Sequence, residues 1–318
     1  MKKIVQENQF VLSKMETPLN CSANRDTPFS SPDWFLSSKR DLVILRPSYA
    51  LASEIPIVPK DHLSISHQGH FQCTICKKSV KKLYSGYCYI CLTQKASADM
   101  CVMNPQKCHF SQGTCREPQW GLDFCYEPHY VYIAFTDKYK VGITRKAQLL
   151  TRWVDQGATM AAPLCLVSSR HQAGVLEKAL MEIMSDKSHW QKMLKSGNDC
   201  PSEDEFMNKL IYAEHWLRDS IQKNPSLVLP MEKEVQEKNK NKLPSEIYAP
   251  ITFLEQQKIT QIQYPLGEPI DKIKSISLEK LKEFKGEVTG IKGQYLFFGD
   301  QVFNVRSHEG FVVNLERY

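Results

Sequence analysis

The 318-residue chain lacks any apolar run near the ~20 residues that a membrane-spanning helix needs. Lys2 and Lys3 are not followed by the apolar stretch of a secretory signal. Neither a membrane nor an exported protein is expected, and the reading is cytoplasmic with no membrane partner. No internal repeat at a fixed period appears. With 42% hydrophobic and 24% charged residues, the composition fits a folded globular chain and not a collagen-like or disordered one. Charge of one sign is also scarce. The net charge of +6 permits nucleic-acid binding without requiring it. What the chain has in abundance is cysteine. Eight of eleven fall between Cys73 and Cys125. Without an export signal, a metal site is the stronger reading and a disulfide framework the weaker one.

Composition and periodicity divide the chain into six parts. Residues 1–40 are polar and rich in Ser and Pro, as in Thr27-Pro28-Phe29-Ser30-Ser31-Pro32, and read as a poorly ordered tail. Residues 41–72 carry short strand patterns around 42–45, 55–58 and 62–71. Residues 73–126 form the cysteine module. Residues 127–225 read as an α/β core. It opens with a hairpin (130–135 and 140–143) and continues with helices at 146–155, 173–185 and 203–222, the last under a Ser202/Glu205 capping box. Residues 226–245 are a charged linker, and 246–318 return to short strands separated by Gly-containing turns. The fold class is α+β and multi-domain, with β-rich terminal segments.

Cys73-x-x-Cys76, eleven residues, then Cys88-x-x-Cys91 brings two knuckles to one tetrahedral Zn²⁺. Four thiolates leave no open position, so this zinc is structural. Cys101, Cys108, Cys115 and Cys125 are spaced more loosely, with His109 and His129 nearby. They suggest a second zinc, held by three or four of these cysteines and perhaps one histidine. Cys21, Cys165 and Cys200 are isolated and read as small apolar residues.

From residue 130 the chain carries a further constellation. Tyr130-Val131-Tyr132 opens the first strand, Lys140-Val141-Gly142 the second, Arg152 lies on the next helix and Glu177 on a later one. These residues resemble the GIY-YIG nuclease superfamily over about 60 positions. The resemblance implies a small three-stranded sheet with flanking helices. It also implies a Mg²⁺ or Mn²⁺ ion on Glu177, phosphate on Arg152, and Tyr132 helping to orient the nucleophile. Lys140 stands where the second motif has a tyrosine, with a phosphate contact its alternative task. Tyr130 stands where the first motif has its glycine. Longer strings are similar to an uncharacterised bacterial family of unknown function: Gly113-Thr114-Cys115-Arg116-Glu117-Pro118, Asp155-Gln156-Gly157-Ala158, and 290–296.

Lys292, Tyr295, Phe297, Phe298, Arg306 and His308 mix cations with aromatics on the C-terminal strands. That pattern suits either a small barrel that stacks single-stranded bases or, more simply, an aromatic core. Two functions are expected from the whole. One is metal-dependent cleavage of DNA or RNA. The other is a non-catalytic nucleic-acid-binding protein, or a protein–protein adaptor, on the same zinc-containing fold.

Overall fold

The computed structural model describes residues 9–17, 42–51, 55–227, 251–254 and 258–318. Most of the expected tail, nearly all of the charged linker, and Cys21 lie outside the described residues. Strands and helices are numbered along the chain.

The alternating run after Pro128 forms β7 (His129–Phe135), paired antiparallel with β8 (Tyr139–Arg145) from His129↔Arg145 to Phe135↔Tyr139. The other edge of β7 takes β9 (Met160–Val167), also antiparallel. Central β7 is thus paired on both edges, its alternate residues enter apolar clusters on both faces, and six of its seven residues are buried. That is why it reads as a nearly continuous apolar run. Beyond β9 lie β11 (Thr260–Ile262), antiparallel to it, and β2 (Val43–Leu45), parallel to β11. The short β10 (Thr252–Phe253) pairs with the far end of β9.

One face of this sheet packs on α5 (Arg170–Leu180) and α7 (Glu203–Lys223). Ala173, Leu176, Leu180, Phe206, Leu210 and Leu217 meet Val131, Ile133, Val141 and Leu164 there. Ser202 caps α7 by accepting the Glu205 N–H at 3.2 Å. The Glu205 side chain, however, accepts from the Tyr139 hydroxyl at 3.2 Å and so ties α7 to the hairpin. Helix α5 stops at Leu180, short of its apolar pattern. Beyond it the chain turns so that the Ser185 carbonyl accepts the Val141 N–H at 2.9 Å, in a bridge beside Lys140.

The terminal segments are woven into one structure. β5 (His62–Gln72) is flanked by β13 (Glu283–Glu287) and β17 (Phe311–Arg317), and β17 pairs onward with β1 (Gln9–Val11). An eleven-residue strand has two long edges to satisfy, and distant C-terminal strands satisfy them. β1 and the buried Leu12 and Met15 come from the stretch read as tail. A hairpin, β3 (Tyr49–Leu51) with β4 (Ile55–Ile57), stands apart. A third sheet has the order β12 (Lys274–Ile276), β16 (Gln301–Asn304), β15 (Tyr295–Phe298), β14 (Gly290–Lys292). The C-terminal strands therefore form no closed barrel, because β13 and β17 pair with β5. One apolar cluster runs through Leu12, Leu45, Leu63, Trp153, Phe284 and Val313.

The cations and aromatics of that third sheet are largely core. Lys292, Phe297 and His308 are buried. Lys292 donates to the carbonyls of Met193, at 2.7 Å, and Gly197 beyond the end of α6 (Trp190–Lys195). Gln294 donates to Asp155 at 2.9 Å, so the string 290–296 closes onto the string 155–158. Trp190 and Tyr295 stack with rings 4° from parallel.

The cysteine segment has little regular structure: β6 (Ser79–Val80) on β5, then α1 (Tyr89–Gln94), α2 (Met100–Met103) and α3 (Pro118–Cys125). It docks on α5. Gly174 allows the approach, since a Cβ there would lie 2.5 Å from Pro105 Cβ and 2.9 Å from the Gln106 nitrogen.

Candidate functional site: a charged cluster on the central sheet and a four-thiol group

The strands and helices of the central unit bring Tyr132, Lys140, Arg152 and Glu177 together. Tyr132 on β7 faces Gly142 on β8. A Cβ on Gly142 would sit 2.5 Å from the Tyr132 phenol oxygen, so the ring lies flat across the glycine. Its hydroxyl donates to Gln156 Oε1 at 2.8 Å, and its ring meets Trp153 edge-on. Tyr132 is fully buried. Burial raises its pKa, and Arg152 pulls it back down. A phenol held this way supports its neighbours and is not open to solvent.

Arg152, near the end of α4 (Leu149–Asp155), has a buried Nε without a hydrogen-bond partner among the described residues. Glu177 lies on α5. Burial raises its pKa to about 7, and Asp186 pushes the same way. The charges of Arg152, Arg170 and Lys140 oppose that rise. Burial also lowers the Lys140 pKa to about 8, with Arg152 adding to the effect and Glu177 opposing it. A half-buried carboxylate with Asp186 beside it and three cations acting on it is a charge arrangement able to attract a divalent ion or a phosphate.

Asp186 and Arg170 belong to this cluster, and spacing alone could not place them. Asp186 arrives through the bridge of Ser185 beside Lys140. Arg170 comes from the first turn of α5 and also donates to the Val102 carbonyl at 2.6 Å, joining the cluster to the cysteine segment. Gln156, the partner of Tyr132, was visible only as part of a string. His129 donates from Nδ1 to the Glu127 carbonyl at 2.7 Å. Burial lowers its pKa to about 4, and its Nε2 has no partner among the described residues.

The raised Glu177 pKa has a consequence for stability. Its folded value exceeds the ordinary 4.5, so the stabilisation from its bound proton is complete below pH 4.5 and is lost as pH rises through 7. A shift from 4.5 to about 7 corresponds to at most about 3.4 kcal/mol, and part-exposure reduces this to about 2 kcal/mol. Glu177→Gln should therefore stabilise the chain by about that amount at pH 8 and by almost nothing at pH 4.5. Urea unfolding at the two pH values measures it. Equal effects at both would show that the carboxylate is solvated.

The second feature is the thiol group. The Sγ atoms of Cys73, Cys76, Cys88 and Cys91 all lie within 4.8 Å of one another. Cys76 and Cys88 are 3.8 Å apart. Sulfurs about 2.3 Å from one tetrahedral ion stand about 3.8 Å from each other, so this set could hold zinc. Backbone turns build the knuckles. Lys77 takes φ +58°, and the Cys88 and Cys91 N–H groups donate to Cys73 and Cys88 sulfurs at 3.3 and 3.4 Å. Burial pushes the Cys73 thiol up, but the N–H groups of Cys88, Cys76 and Ile75 outweigh it and bring the pKa to about 6. Burial and the neighbouring sulfurs drive Cys91 up to about 12.

The other four cysteines of the segment do not gather as tightly. Among the described residues, the other group with ligand atoms within 4.8 Å is Asp99, Cys101 and His109. Cys108, Cys115 and Cys125 lie outside it, although Cys108 and Cys125 are close enough to act on the charge of Cys101 as well as on one another. Cys165, on β9, is buried in the cluster between the central sheet and α5 and α7, as expected of a small apolar residue.

Residues 60–313 match a family model described as Protein of unknown function (DUF2797). No curated protein and no solved structure matches the chain.

Proposed function

Because the chain belongs to the DUF2797 family, whose description assigns no activity, we propose its function from its own geometry: metal-dependent hydrolysis of nucleic-acid phosphodiesters by a GIY-YIG-like core. The observation that carries this reading is the convergence of Lys140, Arg152 and Glu177, from three separate elements, around the buried Tyr132. Glu177 is the residue that would hold Mg²⁺ or Mn²⁺. Such an ion supplies an activated water and neutralises charge on the scissile phosphate. Arg152 supplies a guanidinium, a group suited to phosphate oxygens, whose buried Nε has no partner among the described residues. Arg170 and Lys140 add positive charge on either side. Tyr132 acts through others. By fixing Gln156 and lying against Arg152, it holds the arginine in place. The four-thiol group holds a structural zinc in this reading.

Labelled single- and double-stranded DNA and RNA, incubated with Mg²⁺ or Mn²⁺, test it. The chain should cleave at least one substrate. Glu177→Ala should lower the rate by ~10³-fold or more while binding is retained, as expected when charge stabilisation at the reacting phosphate is lost. Binding without metal-dependent cleavage would reject the hydrolytic reading.

A second reading, a non-catalytic nucleic-acid binder, has its own support. Lys140 replaces a phenol, and Tyr132 is sealed from solvent. Beside the thiol group, Lys77, Lys78, Lys81 and Lys82 are exposed together with Tyr84 and Tyr89. Cations next to exposed aromatic rings suit a single strand, whose phosphates and bases they would contact. Affinity that falls steeply with salt, without cleavage, would favour this reading.

A further inference from the structure

We infer that the chain carries a second zinc site of mixed ligands, on Asp99, Cys101 and His109, rather than on the four later cysteines. Three observations lead there. The donor atoms of the three residues lie within 4.8 Å of one another. The two oxygens of Asp99 are already sorted. Oδ2 meets Arg116 Nε at 2.7 Å, while Oδ1 is turned towards His109 Nε2 at 3.5 Å and accepts the Cys101 N–H at 3.3 Å.

The imidazole is oriented too. The Thr114 hydroxyl donates to the His109 carbonyl at 3.2 Å, so its lone pair is free to accept from His109 Nδ1 at 2.7 Å. In the Nδ1–H tautomer that this arrangement allows, the Nε2 lone pair faces a carboxylate oxygen. A cation between those two atoms would satisfy both, and the Cys101 thiol stands ready as a third donor. A histidine whose far nitrogen is held by a hydroxyl, beside a carboxylate braced by arginine, has the outer-shell support typical of metal ligands. Nitrogen, oxygen and sulfur together suit Zn²⁺, and three protein ligands leave the fourth position to solvent. The site differs from the closed four-thiol group. It sits in the segment that docks on α5, one strut away from the Glu177 cluster through Val102 and Arg170.

A proton on Nε2, donated to Asp99, is the competing occupant. Zinc analysis of the full chain, purified without chelator from zinc-supplemented culture, separates the two. We expect two zinc ions per chain, falling to one in His109→Ala and in Cys101→Ser and staying at two in Cys115→Ser. One zinc in the wild type would overturn the inference in favour of that proton. So would two zinc ions with loss in Cys115→Ser and none in His109→Ala, which would restore the four-cysteine set. Cobalt substitution of the unmutated chain guards against variants that fail to fold. The intensity of sulfur-to-cobalt charge transfer should correspond to five thiolates, four from one site and one from the other. An intensity corresponding to eight would reject the mixed site.

Discussion

Cys88→Ser is expected to cost the chain one equivalent of zinc and, with it, the fold of residues 73–94. In that stretch only Cys73, Gly86 and Cys91 are buried, so almost no apolar area is available to hold it. Zinc bound by such knuckles contributes ~10–16 kcal/mol of apparent binding free energy, and in a segment without a core this is folding free energy. Losing one of four sulfurs leaves three thiols whose grouping nothing else supports. The remainder of the chain has its own reasons to stay folded. The central sheet, α5 and α7 form an apolar cluster that includes none of the four thiols. Partial unfolding is the expected outcome. Hydrogen exchange should show protection lost over residues 73–94 and kept over β7 and β9, with zinc content reduced by one. The same pattern should appear when the wild type is treated with a strong chelator. Unchanged exchange and metal content in Cys88→Ser would show that hydrogen bonds and β6 pairing suffice.

Gly142→Ala should destabilise the chain by about 3 kcal/mol, the upper end of the usual cost of overpacking. The new methyl group would lie 2.5 Å from Cζ and Oη of Tyr132 and 3.0 Å from Cε2. The ring has nowhere to go. It is fully buried, its hydroxyl is bonded to Gln156, and Trp153 meets it edge-on. The test is a double-mutant cycle. Tyr132→Val removes the ring, and in that background Gly142→Ala should cost little, giving a coupling of about 2–3 kcal/mol in urea unfolding. Additive effects would mean that the strand backbone, not the ring, sets the cost. The cycle also bears on the charged cluster. Pushing the phenol aside disturbs Gln156 and Arg152, so on the proposed hydrolytic reading Gly142→Ala should slow cleavage more than its stability loss alone explains.

The elements that stood out in the sequence were those whose signal is local. The hairpin of β7 and β8, the capped start of α7 and the two Cys-x-x-Cys knuckles depend on neighbours a few residues away, and each appears where its pattern lies. Helix α5 shows where local signal ends. Its apolar spacing runs on to residue 185, but the chain leaves the helix at Leu180 because Ser185 bonds to Val141, forty-four positions earlier in sequence. The C-terminal strands show the same thing on a larger scale. Their alternation is real, yet β17 pairs with β5 and β1, so a segment that looked like a separate domain supplies strands to the front of the chain. Aromatic and basic residues such as Phe297 and Lys292, which suggested a binding face, are buried by that weaving.

Within the charged cluster, Tyr132, Lys140, Arg152 and Glu177 were named from motif spacing, while Asp186, Gln156 and the bracing by Arg170 came from the folded chain. The reason is physical. Residue type and spacing record which chemistry is available: four thiols for a soft ion, a carboxylate and cations for phosphate or a hard one. They do not record burial, and burial is what raises Glu177 to about 7, lowers Lys140 to about 8 and seals Tyr132 from solvent. The sequence alone determined that this is an α+β chain with cysteine knuckles and a charged helix-and-hairpin unit. Only the tertiary structure decided that the ends of the chain share one core with that unit, and that Asp99 and His109 close on Cys101. Those outcomes depend on which distant surfaces exclude water from each other, and no stretch of neighbouring residues encodes that.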